Sequence, residues 1–99
     1  RSLIRSIGHY NEIILKNQRT YKVRMTFSRI SDILTEDIRF LPVMRGILVN
    51  MDYITSLKDG SCYIAGDMQT PITLRKEKQL EQIWKNYIFN KIRNASEVI

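Results

Sequence analysis

One cysteine, one histidine, one tryptophan, two prolines and four glycines occur in 99 residues, and each shortage removes a class of answer. A lone Cys62 cannot close an internal disulfide, and with His9 as the sole imidazole it has no partners for a metal site. Such cysteine usage fits a reducing compartment, so a cytoplasmic domain is expected. No apolar run approaches the roughly eighteen residues of a membrane-spanning helix, and no secretory signal opens the chain. A glycine-rich phosphate loop, a His/Cys metal spacing and a Gly-x-Ser-x-Gly elbow are all missing. We therefore expect no enzyme and no cofactor. Internal repeats and low-complexity linkers are absent too.

What is present is one core's worth of apolar residues, 43% of an 11.7 kDa chain. The net charge is +6 and is unevenly spread. Residues 1–31 carry seven Lys/Arg against one Glu, residues 32–71 three against six acids, and residues 72–99 six against three. Cations in both outer thirds can be brought together by folding into one basic face, for which a polyanion is the natural partner.

Leu3–Ile7, Tyr10–Leu15 and Thr20–Met25 are β-favouring runs, the last two joined by the polar Lys16–Arg19 connection. Alternation in the third puts Tyr21, Val23 and Met25 on a packed face and Lys22 and Arg24 in solvent. Thr26 then reads as the N-cap of a short helix with Phe27, Ile30, Ile33 and Leu34 on one face. Pro42 marks the next apolar run as an edge strand or a strand end. Lys58-Asp59-Gly60 between β-rich runs is a hairpin signal, and Gly66-Asp67 a second turn leading to a strand over Thr70–Leu74. The final element, from about Arg75 to Asn94, carries Leu80, Ile83, Trp84, Tyr87, Ile88 and Ile92 at helical spacing, which predicts a docking helix with Trp84 and Tyr87 in the core.

Phe40 to Ile54 is the most informative stretch, because its apolar run is broken by Arg45-Gly46 and closed by Val49-Asn50. A buried element has no use for a long cation and a glycine at its centre, so the chain turns here and exposes Arg45. This box, with Leu3-Ile4 and Gly8-His9-Tyr10, the run Tyr21 to Phe27, and Pro71-Ile-Thr-Leu-Arg75, resembles the LytTR family over roughly residues 2–80. That family is the DNA-binding output domain of many bacterial response regulators.

The resemblance implies a mostly β, α+β fold of small antiparallel sheets with short helices and a C-terminal amphipathic helix. Residues 1–94 are expected to form one such DNA-binding domain, and residues 95–99 read as a loose tail. Loops, not a recognition helix, would enter successive major grooves of promoter direct repeats, with a second protomer beside the first. The implied DNA-binding residues are His9, Tyr10, Arg45, Thr73, Arg75 and Lys76. The chain opens in mid-pattern at Arg1-Ser-Leu-Ile, so a strand cut off ahead of residue 2 and an upstream receiver or sensor domain are expected. It departs from the family pattern at Arg5, where an acid is usual, at Met44, where histidine is common, and at Thr73-Leu74-Arg75, where Ser-Arg-Arg is common.

Each candidate has a plainer reading beside the functional one. Arg45 and Arg75 either read bases or are surface cations, and Arg75 and Lys76 at the start of the last helix suit phosphate. Thr73 caps a helix or binds phosphate, His9 and Tyr10 reach a groove or are merely exposed, and Tyr10 equally fits the core. Arg5, Arg19, Lys22 and Arg24 are phosphate contacts or a solvated strand face. Asn50 reads as structural, and Cys62 as buried and inert. The functional alternatives to a duplex reader are a small β-rich interaction module whose basic surface binds an acidic partner, and a single-strand binder with exposed aromatics.

Overall fold

A computed structural model describes residues 3–7, 10–14, 19–23, 26–34 and 37–97. The alternating runs become strands β1 (Leu3–Ile7), β2 (Tyr10–Ile14) and β3 (Thr20–Val23), followed by helix α1 (Phe27–Leu34), β4 (Phe40–Met44) and β5 (Ile47–Asn50). The five strands form one antiparallel sheet in the order β3-β2-β1-β5-β4. Pro42 lies in β4, an edge strand, where its missing N–H leaves no gap in the ladder. Thr26 caps α1 as its residue type predicts, accepting the Arg29 N–H on Oγ1 at 3.2 Å.

Side-chain alternation gives this sheet two packed faces. Leu3, Val49, Leu41 and Ile14 point into the main core, while Ile4 and Leu48 pack under Ile30 of α1, with Ile13, Phe27 and Phe40 around them. Tyr21, expected on a packed face, is 51% exposed, because β3 is an edge strand with a neighbour on one side only.

A second antiparallel sheet holds β6 (Ile54–Lys58), β7 (Ser61–Ile64) and β8 (Met68–Pro71) in sequence order. Asp59 and Gly60 join the first two with φ of 53° and 77°, the left-handed pair that suits the twist of a two-residue hairpin. A 3-10 turn at Met51–Tyr53 connects the sheets, and the Asn50 side chain caps it by accepting the Asp52 N–H at 2.9 Å, which is the structural role expected of Asn50. Cys62 is fully buried in β7, and burial pushes its thiol up to about 12.

Two boundaries differ from expectation. The strand expected over Thr70–Leu74 ends at Pro71, and a 3-10 turn at Leu74–Lys76 precedes helix α2 (Glu77–Glu97), which starts later and runs past Asn94. Leu80 of α2 is buried, with Trp84 and Tyr87 packed against the same core. Within the stripe Ile83 and Ile92 are 40% and 61% exposed, as is Phe89 beside it at 65%, so the helix docks through Leu80, Trp84 and Tyr87 and leaves the rest of its apolar surface open. A polar latch secures the docked part, because Asp52 Oδ1 accepts from Tyr87 OH at 2.7 Å and from Lys91 Nζ at 2.6 Å. Burial works against the Asp52 charge, but these donors outweigh it and hold the carboxyl below its usual range.

Candidate nucleic-acid interface

The β4–β5 ladder slips between Pro42 and Met44 and then reverses over Arg45 and Gly46. Gly46 has φ +82°, a conformation that a side chain would strain. Its carbonyl accepts the Ser6 N–H at 2.9 Å, which fastens the turn to β1 and leaves Arg45 exposed. Ile7 pairs with Tyr10 at this same end of the sheet.

The second arm arrives from the other sheet. Thr73 N–H donates to Val43 O at 3.1 Å, and Lys76 N–H donates to Thr73 O at 2.9 Å, closing the 3-10 turn. Glu77 then bends back to accept the Gly60 N–H on its carboxylate at 2.6 Å, and the Leu74 side chain lies over Gly60. These bonds hold Arg75 and Lys76 near Arg45. Together with Thr73, Met44 and Gly46 they line an open cleft of about 450 Å³ that contains three cations and no carboxylate. A comparable cleft of about 470 Å³ at the β7–β8 end contains Asp67 and no cation, so its chemistry is the wrong sign for a polyanion.

The LytTr DNA-binding domain model matches residues 2–85, which takes in both sheets, the cleft and the docked part of α2. The chain belongs to the LytTr DNA-binding domain family. No curated protein matches it. A LytTr domain binds DNA, and the two-sheet architecture with a closing helix is the α+β arrangement expected of one.

Within this LytTr domain, Arg45, Thr73, Arg75 and Lys76 come together at one cleft, from segments nearly thirty residues apart in sequence. His9 lies outside the described residues, as do Gly8, Lys16 and Arg24. Tyr10 opens β2 at the same sheet end. Arg75 and Lys76 occupy the 3-10 turn and not the first turn of α2, and the Lys76 N–H is already bonded, so the expected anion site at a helix N-terminus does not form from them. Thr73 precedes the 3-10 turn without a side-chain cap. Arg5 pairs with Glu12 at 3.3 Å across β1–β2, while Lys22 and Arg19 are exposed.

Sequence reasoning missed the Val43–Thr73 bond and the Glu77–Gly60 clamp. Both depend on which loops the two sheets bring together, and no local pattern carries that. Among the described residues no three His, Cys, Asp or Glu side chains form a metal site, and no helix is long and apolar enough to cross a membrane.

Proposed function

We propose that this LytTr domain recognises double-stranded DNA sequence-specifically through loops, as the output domain of a bacterial transcriptional response regulator acting on promoter direct repeats. Convergence of Arg45, Arg75, Lys76 and Thr73 on one carboxylate-free cleft supports this reading. Arg45 and Arg75 read base edges, with the bidentate guanine contact as the natural arginine mode, and the β1–β2 connection at His9 and Tyr10 supplies a further reading segment. Lys76 and Thr73 bind phosphate, and Arg19, Lys22 and Arg24 add counterion-releasing charge. Arg5 contributes less, since Glu12 already neutralises it.

The second reading is an interaction module for a protein partner, and the exposed Phe89 and Ile92 of α2 favour it. Selection of bound duplexes from a random pool at near-physiological salt separates the two. Enrichment of a repeated motif, bound far more tightly than its scramble, is the expected result. Failure to enrich any motif, with binding that simply fades as salt rises, would overturn sequence reading.

A further inference from the structure

Two large exposed apolar side chains immediately precede the cleft arginines in sequence. Met44 lines the cleft beside Arg45 and is 41% exposed. Leu74 lies between Thr73 and Arg75, two residues that line the cleft, and is itself 72% exposed. Scattered exposed apolar residues are ordinary on a surface and need no explanation. These two differ in position, because each is the next residue after one partner of the Val43–Thr73 hydrogen bond. They therefore sit on the same joined pair of backbones that presents Arg45 and Arg75.

Leu74 is also held in place. An added Cβ at Gly60 would lie 2.9 Å from Leu74 Cδ2, so one side of the leucine rests on the hairpin turn while the rest faces solvent. Met44 follows the β4 irregularity, and its unbranched thioether chain adapts to an irregular surface.

When a duplex covers the cleft these side chains lose water and must meet something. Against a phosphate or a polar base edge they would strip hydration from a group and return no hydrogen bond. The major groove offers one apolar group, the 5-methyl of thymine.

We propose that Met44 and Leu74 are specificity-determining residues that contact thymine 5-methyl groups flanking the base pairs read by Arg45 and Arg75. The proposal rests on the DNA-reading function above. It makes the site's preference partly apolar, with A·T pairs required at positions where no hydrogen bond to the base is made.

The test uses the duplex obtained by selection, with each thymine replaced in turn by deoxyuridine, which deletes the methyl and keeps the Watson–Crick and O4 groups. Wild type, Met44→Ala and Leu74→Ala are titrated against each duplex, with circular dichroism confirming that the variants fold. Removal of one buried methyl from the wild-type complex is expected to weaken binding about fourfold at one or two thymines. That penalty is expected to vanish in at least one of the two variants. Uniform tolerance of deoxyuridine, or a penalty that persists in both variants, would overturn the assignment while leaving sequence-specific binding intact. If selection enriches no duplex, the DNA-reading function falls and this assignment falls with it.

Discussion

Arg45 and Asp52 are both charged and lie seven residues apart, yet they have opposite fates. Arg45 is pushed outward by a turn whose glycine fixes the direction, and it lines the cleft. Arg45→Ala is expected to cost about 1–3 kcal/mol of binding and to relax preference at one base pair, the signature of base reading. Titration against single-position variants of the selected duplex checks this, and equal weakening on every sequence would make Arg45 a phosphate contact instead. Asp52 is turned inward to Tyr87 and Lys91, which keep its carboxyl below the ordinary value of 3.8. Because the folded state depresses this pKa, Asp52 adds stability above the unfolded value and loses it as pH falls through the folded one. Asp52→Asn is thus expected to be less stable than wild type at neutral pH, and the gap in urea midpoint should close below about pH 4. Tyr87 mirrors this at high pH, since burial and its bond to Asp52 raise its phenol to about 12.

Short elements with their own turn chemistry were readable in the sequence, and long-range cover was not. Asp59-Gly60 specifies its hairpin locally, and Thr26 its helix start, because the bonds that decide them span a few residues. Gly60→Ala is expected to destabilise by about 1–2 kcal/mol, since an L side chain strains at positive φ and the added Cβ meets Leu74. Thermal melts check the loss, and DNA affinity should drop with it as the 3-10 turn shifts. The α2 stripe, in contrast, fixes which face is apolar and says nothing of what covers it. Leu80→Ala should cost about 2–5 kcal/mol as a core truncation. Phe89→Ala and Ile92→Ala should stay within about 0.5 kcal/mol of wild type, given their exposure. Equal losses at all three positions in chemical denaturation would show that the whole stripe is buried. Tyr21 carries the same lesson on β3, where alternation gives the face and says nothing of what covers it.

Over the whole molecule, the candidate residues were visible as residue types, but their convergence needed the fold. Arg45 lies on the β4–β5 turn and Arg75 in the 3-10 turn after the second sheet, thirty positions along the chain. The net charge of +6 gives the domain a general pull on any duplex. Lys76→Ala is expected to weaken binding about equally on specific and scrambled duplex and to reduce the slope of log affinity against log salt by about one. A change in base preference without a change in slope would instead place Lys76 among the readers.

The Val43–Thr73 bond joins the two arms that carry Arg45 and Arg75. Behind it, Val43 and Ile72 are buried in the same core. The arms therefore behave as the jaws of a calliper whose opening is machined by interior packing. Under the function proposed above, the number of base pairs between the two letters read by Arg45 and Arg75 becomes a property of the hydrophobic core, and a change in core volume would reset the spacing of the binding site without altering any residue proposed to touch DNA.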